Sequence, residues 1–237
     1  MRFVLCRPSH PGNIGAAARA MKTMGMTDLR LVGDARHREP MALALAANSA
    51  DVLDRARVHA TLGEALCDCV AAFAFSARAR EWAPVLLEVR EAAREAVSRA
   101  SQGPVAFVFG NETAGLTNEE MFACQVLVRI PTGDALHSLN LAQAVQVAAY
   151  ELRMAGGVAA ANPARNRDSS ATVEDLEGLY RHFEDAALAC GFFDPQDPKR
   201  LRERVRRMFS RAAMEREEVN ILRGLLRALQ RDRIEKT

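Results

Sequence analysis

The stretch VAFVFGNETAGLTNEE, residues 105–120, decides the fold. Its first five residues are apolar without polar alternation, and four of them are Val or Phe, so they read as a strand buried on both faces. Gly110 ends the strand, and a polar run containing Glu112 and Gly115 follows as a loop. Thr117 and Glu120 then stand at capping-box spacing, which predicts a helix beginning near 118. Strand, glycine-bearing loop and helix in that order form the repeating unit of a parallel sheet covered by helices. Such sheets bind ligands outside the carboxyl ends of their strands, so the 110–116 loop is a candidate site. Gly110 and Gly115 have the spacing of a Walker loop, but Leu116-Thr117 occupies the place of the required Lys and Ser or Thr. That excludes a P-loop. No G-x-G-x-x-G follows a strand, so a dinucleotide site has no anchor either.

The same alternation extends in both directions. Residues 3–5, 29–32, 70–75 and 126–130 read as further strands, and 13–24, 41–46, 62–66, 85–100, 118–124 and 139–154 as helices. An α/β domain is therefore expected over 1–155. GGVAAANPARNRDSSAT, 156–172, is small, polar and Pro-bearing, which suits a linker. Thr172 and Asp175 repeat the capping spacing and open a helical C-terminal extension, 173–237, with further helices near 198–212 and 214–234. In the last of these, Val219, Leu222, Leu226 and Leu229 form an apolar stripe, while Arg216, Asn220, Arg223, Arg227 and Arg231 mark another face.

Composition narrows the class. The 237 residues are 49% hydrophobic and suffice for a proper core. The net charge of +2 hides an asymmetry: residues 199–237 hold 13 Lys plus Arg against 6 Asp plus Glu, a surplus of +7, which leaves −5 for the rest. The basic end is the candidate for a polyanionic partner. No run of eighteen apolar residues is present, and the start MRFVLCRPSH is followed closely by Pro11, unlike a signal or anchor sequence. A cytoplasmic protein without a membrane partner is expected. The five cysteines are scattered, with no C-x-x-C pair, so they are expected to be small buried residues rather than metal ligands.

Two further stretches carry more than a fold requires. In SHPGNIGAAARAMKTMG, 9–25, Ile14, Ala17, Ala18, Met21 and Met24 follow helical spacing toward the core, Gly12 or Asn13 can cap the start, and Gly25 can close the end. Gly15, Arg19 and Lys22 share the remaining face. That face is either a solvated helix side or a phosphate site combining backbone access with a guanidinium. In IPTGDALHSLNLAQAVQVAAYEL, 130–152, Ser138 and Asn140 stand where loop becomes helix. Ser138 serves as an N-cap or as a ligand contact, and Asn140 can both donate to and accept from a substrate hydroxyl.

The blocks N-I-G-A-A-A-R-A-M-K-T-M-G, F-V-F-G-N-E-T-A-G-L-T-N-E-E and I-P-T-G-D-A-L-H-S-L-N-L-A resemble, in order and spacing, the three motifs of the SPOUT class of RNA 2′-O-ribose methyltransferases. The likeness covers about the first 155 residues. Within the class it is greatest to the branch that modifies the anticodon-loop nucleotide 32 of tRNA, a cytidine or uridine. The resemblance implies a parallel α/β domain with a trefoil knot, a homodimer, and S-adenosylmethionine bound without metal. It implies a cofactor pocket of Phe75, Ser76, Ala77, Gly110, Ile130, His137, Ser138 and Leu139. Phe75 departs from the small hydroxyl residue usual at its position. Arg19, Ser138 and Asn140 are the implied catalytic residues. Asn13, Gly15, Arg19, Lys22 and Glu112 are expected to meet the RNA, with Arg216, Arg223 and Arg227 of the basic tail. Two alternatives stay open: a SPOUT enzyme for another tRNA position or ribosomal RNA, and a non-enzymatic RNA-binding protein on the same fold.

Overall fold

Seven strands among the described residues form one sheet in which every pairing is parallel: β1 (Arg2–Cys6), β2 (Asp28–Val32), β3 (Arg57–His59), β4 (Ala71–Phe75), β5 (Val85–Glu88), β6 (Val105–Phe109) and β7 (Val126–Arg129). Their order is β3-β2-β1-β6-β4-β7-β5. The structure, a computed structural model, describes residues 1–34, 36–77, 85–134, 138–158, 170–196 and 199–234, with 157–158 and 231–234 described by backbone only.

The strand period of two divides the core. One face carries the large residues: Phe3 pairs with Phe107 and Phe107 with Phe73, while Phe75 pairs with Phe109. Their rings stack or tilt against one another at centroid distances of 4.4–6.0 Å. Each such buried ring contributes about 2–3 kcal/mol by removal from water. Helices α1 (Pro11–Thr23), α2 (Pro40–Ala46), α3 (Ala50–Asp54), α5 (Val89–Arg99) and α7 (Leu141–Val158) cover this face. The other face is built of smaller residues, Val4, Cys6, Ala72, Ala74, Ala106 and Val108, beneath α4 (Leu62–Leu66) and α6 (Asn118–Phe122). Burial on both faces is what the unbroken apolar strands predict.

The C-terminal helices α8 (Val173–Ala189), α9 (Leu201–Ala212) and α10 (Arg216–Ile234) build a small core of Ala171, Leu176, Leu179, Met214 and Val219, flanked by Leu222 and Leu226. Val173 enters the second core of the sheet, and its N–H donates to the Cys69 carbonyl at 2.9 Å. Both expected capping boxes, Thr117–Glu120 and Thr172–Asp175, are present.

Several expectations are corrected. Residues 85–100 are not one helix: 85–88 form the edge strand β5, because pairing with β7 outweighs the helical pattern. The three-residue strand β3, with Arg57 and Val58 exposed, is too short to show a period. Neither Gly12 nor Asn13 caps α1, which begins at Pro11 with His10 before it. Gly25, at φ +83°, does close that helix. Leu229 is exposed rather than part of the tail core, as are Ile221 and Leu225. Cys6, Cys69 and Cys124 are buried, but Cys67 and Cys190 are exposed.

Candidate active site

A cleft of about 450 Å³ opens at the carboxyl ends of β4, β6 and β7. Ser76 and Ala77 enter it after β4, residues 110–116 after β6, and Ile130 and Thr132 after β7. Ser138, Leu139, Leu141 and Ala144 close one side from the start of α7. Its walls are largely apolar, with hydroxyl, amide and carboxylate groups at a few points, and its size suits a small organic ligand. Of the expected cofactor residues, Phe75, Ser76, Ala77, Gly110, Ile130, Ser138 and Leu139 line it. His137 lies outside the described residues. The ring of Phe75 is buried and stacks on Phe109 at 4.4 Å, so this departure from the family pattern serves the core.

The 110–116 loop is a fold of backbone on backbone. A Cβ on Gly110 would lie 2.2 Å from the Gly115 carbonyl carbon, so no other residue fits there without moving the loop. Asn111 shapes the turn: its Oδ1 accepts from the N–H groups of Thr113 and Ala114, and its Nδ2 donates to the Arg7 carbonyl. Asn111, Thr132, Leu141 and Ala144 were missed from sequence. Their signal is adjacency to strand ends and to the α7 start, which marks many residues equally.

Three distant segments meet beside this loop. The Glu112 carboxylate accepts from Ser9 N–H and Ser9 Oγ, each at 2.8 Å, from His10 N–H at 3.3 Å and from Asn13 Nδ2 at 2.9 Å. It thereby satisfies donors at the start of α1, where a carboxylate is also favoured by the helix dipole. Burial pushes the Glu112 pKa up, but the hydrogen bonds from Asn13 and Ser9 outweigh it and hold the group down at about 2. Asn13 Oδ1 in turn accepts from Asn140 Nδ2 at 2.9 Å. Asn140 Oδ1 accepts from Ala142 N–H at 2.9 Å, and Gln143 Oε1 accepts from Asn140 N–H at 3.3 Å. Asn140, not Ser138, is therefore the cap of α7, which starts two residues later than expected. One chain of amides and a carboxylate joins α1, the β6 loop and α7.

The RNA face expected on α1 divides. Gly15 is buried, and a Cβ there would lie 2.0 Å from the Ala42 carbonyl oxygen. Its missing side chain lets α1 and α2 touch rather than opening backbone to a ligand. Lys22 Nζ donates to the Asn48 carbonyl at 2.8 Å and to Asp51 at 2.6 Å, which occupies it in tying α1 to α3. Arg19 is exposed and has no side-chain partner among the described residues, yet it does not line the cleft. In the tail, Arg216 pairs with Asp175 at 3.3 Å, Arg223 lies over Gly178 of α8, and Arg227 is exposed. Among the described residues there is no group of three or more His, Cys, Asp and Glu placed to hold a metal, and no helix is long and apolar enough to cross a membrane.

Comparison with known proteins adds a family. Residues 1–150 match the SpoU rRNA methylase family, and residues 174–237 match the C-terminal domain of the tRNA methyltransferase TrmJ. The tRNA (cytidine/uridine-2′-O-)-methyltransferase TrmJ of Cronobacter sakazakii is 44% identical over 240 residues, covering 100% of this chain and 98% of that protein. The tRNA (cytidine/uridine/adenosine-2′-O-)-methyltransferase TrmJ of Pseudomonas aeruginosa is 44% identical over 241 residues, covering 98% and 94%. Among solved structures, TrmJ from Z. mobilis ZM4 superposes with a TM-score of 0.82 at 31% identity, covering 97% of this chain and 98% of that one.

Proposed function

The chain belongs to the TrmJ branch of the SpoU methylase family, and from that premise we propose that it methylates the ribose 2′-oxygen of anticodon-loop nucleotide 32, a cytidine or uridine, in tRNA. It is a tRNA 2′-O-methyltransferase, and S-adenosylmethionine is its methyl donor. The observation that carries the reading is the meeting of three motif segments, through Asn13, Glu112 and Asn140, at the edge of one small-molecule cleft.

The cleft fits the donor by size and by its donor set. Apolar walls from Val128, Ile130, Leu139 and Leu141 suit a flat base, and Ser76, Thr132 and Ser138 offer polar contacts to a ribose and an amino acid. Phe75, Ser76, Ala77, Gly110, Ile130, His137, Ser138 and Leu139 form the proposed cofactor site, in the knotted part of the domain. When bound, S-adenosylmethionine supplies a methyl group activated by a sulfonium. The protein's tasks are then to position the 2′-hydroxyl and to stabilise charge on its oxygen.

Arg19 suits the second task. A guanidinium has five N–H donors and no acceptor, so Arg19 holds the adjacent phosphate and faces the developing oxyanion rather than acting as a base. Asn140 and Ser138 stand at the α7 start beside the cleft and orient the substrate. Asn13 and Glu112 hold Asn140 and the α1 start in register, and this positioning role replaces the direct RNA contact expected of Glu112 from sequence. The tail, basic from residue 199, docks the tRNA backbone. Met41 and Leu45 of α2 and Tyr150 and Met154 of α7, each about half exposed, supply apolar surface for the proposed homodimer. The proposed location is the cytoplasm, with the substrate.

Incubation with tRNA and isotopically labelled S-adenosylmethionine in excess chelator, followed by nuclease digestion and mass spectrometry, tests the assignment. Label on the fragment containing nucleotide 32 is expected. Label only at another position or in ribosomal RNA overturns the site, and transfer that needs an added metal overturns the metal-free chemistry.

A further inference from the structure

The arginines of the tail are not equivalent, and the structure sorts them. Two of the six in α9 and its N-cap face the protein: Arg202 pairs with Glu184 and lies over the Phe193 ring, while Arg206 pairs with Glu177 and lies over the Tyr180 ring. In α10, Arg216 pairs with Asp175 and Arg223 is half buried against α8. Arg202 is itself exposed, but it and Arg206 lie on one side of α9, whereas Arg204, Arg207 and Arg211, all exposed, lie on the other. At 100° per residue they share an arc of about 60° and span about 10 Å of helix. Arg207 and Arg211 have no ion pair among the described residues. Glu203, the only carboxylate in α9, projects outside the arc. The opposite side of the helix is anchored through the paired Arg202 and Arg206, with buried Val205 beside them.

We propose that this exposed arginine face of α9, rather than the α10 face suggested by the sequence, is the surface on which the tail receives the RNA phosphate backbone. The inference rests on the tail-docking reading above and assigns it to one helix. Charge complementarity identifies the occupant: adjacent guanidiniums along a helix, with the single carboxylate Glu203 beside the edge of the arc rather than within it, match the regularly spaced phosphates of a polyanion. Placement supports it. Helix α9 touches α6, which continues the cleft's 110–116 loop, and it also touches β5 at the sheet edge. Arg207 and Ser210 pack beside Phe122 and Gln125 at that junction. RNA held on α9 is therefore held against the same body that carries the cleft.

The test uses full-length protein and tRNA, with Kd measured across a salt series and cofactor affinity measured in parallel by calorimetry. R207Q/R211Q should weaken tRNA binding about tenfold at moderate salt and make the log–log salt slope shallower by about 1.5, as expected for two lost phosphate contacts. R216Q/R227Q should leave Kd within about twofold and the slope unchanged. R207K/R211K should restore most of the affinity, because the charge remains. Loss with R216Q/R227Q but not with R207Q/R211Q would move the RNA to α10 and overturn the inference while sparing tail docking. No loss with either pair would overturn tail docking itself. A lysine pair as weak as the glutamine pair, or cofactor affinity falling in step with tRNA affinity, would make the α9 arginines structural and also overturn the inference.

Discussion

Replacing Glu112 by Gln separates a positioning carboxylate from an RNA contact. The carboxylate accepts from Ser9 N–H, Ser9 Oγ, His10 N–H and Asn13 Nδ2. A glutamine offers one oxygen and turns an NH₂ toward groups that are themselves donors, so at least one pairing becomes repulsive. The pKa lowered from 4.5 to about 2 corresponds to roughly 3 kcal/mol at about 1.4 kcal/mol per tenfold. The group is partly open to water, and screening reduces that to about 1–2 kcal/mol. For a chain of this size Tm should fall by about 3–6 °C at pH 7. The sign follows from the direction of the shift. A lowered carboxylate pKa contributes stability that is complete above about pH 4.5 and lost as pH falls toward about 2. The gap between E112Q and the parent should thus shrink to less than half near pH 3, measured by denaturant unfolding at each pH. Turnover should also fall about tenfold or more, because Asn13 and Asn140 lose their anchor, with cofactor affinity little changed. Parent-like melting combined with weakened tRNA affinity would refute the anchoring role and restore Glu112 as an RNA contact.

The other expectations are briefer. Gly15→Ala should cost about 2–3 kcal/mol and lower Tm by about 5–10 °C, since its Cβ would meet the backbone carbonyl of Ala42 at 2.0 Å; a parent-like melt would show that α1 and α2 separate freely. Arg19→Ala should reduce turnover by about a hundredfold or more while calorimetry finds cofactor affinity unchanged, because the side chain lies outside the cleft. Cofactor affinity falling with turnover would place Arg19 wrongly. Leu139→Arg puts a long cation into the cleft wall and should abolish cofactor binding while tRNA binding persists; intact cofactor affinity would move the site elsewhere.

The sheet was legible because its strands are buried on both faces, and runs such as 105–109 and 71–75 admit little else. The edges were not. β3 and β5 have exposed residues and take their conformation from a neighbouring strand, which no local pattern announces. The cleft lining was legible through the family resemblance, which implied Ser76, Gly110 and Leu139 among the residues that line it. The division of labour within the motifs was not. Gly15 and Lys22 share a helical face with Arg19 on paper, but α2 and α3 pack against that face and claim both. Sequence periodicity says which residues share a side of a helix. It does not say what the rest of the chain lays over that side.

Strand order accounts for the meeting of the three motifs. β1 and β6 are neighbours, so the turn after β1 and the loop after β6 emerge side by side, and Glu112 reaches Ser9 and His10 although about a hundred residues separate them. β4 and β7 follow on the same side, so the segment after β7 returns across the same end of the sheet and delivers Asn140 to Asn13. Arg7, at φ +49°, pairs with Glu120, the residue that also completes the α6 capping box, and this fixes the turn after β1 to the helix after the β6 loop. Each motif thus holds its neighbour in place, and a substitution in one should be felt in the others. Asn140 shows the economy of the arrangement: one amide oxygen caps α7 while its NH₂ joins the network to α1. A group with both ends engaged at a rigid helix start keeps its orientation, and a fixed orientation is what positioning a ribose hydroxyl requires.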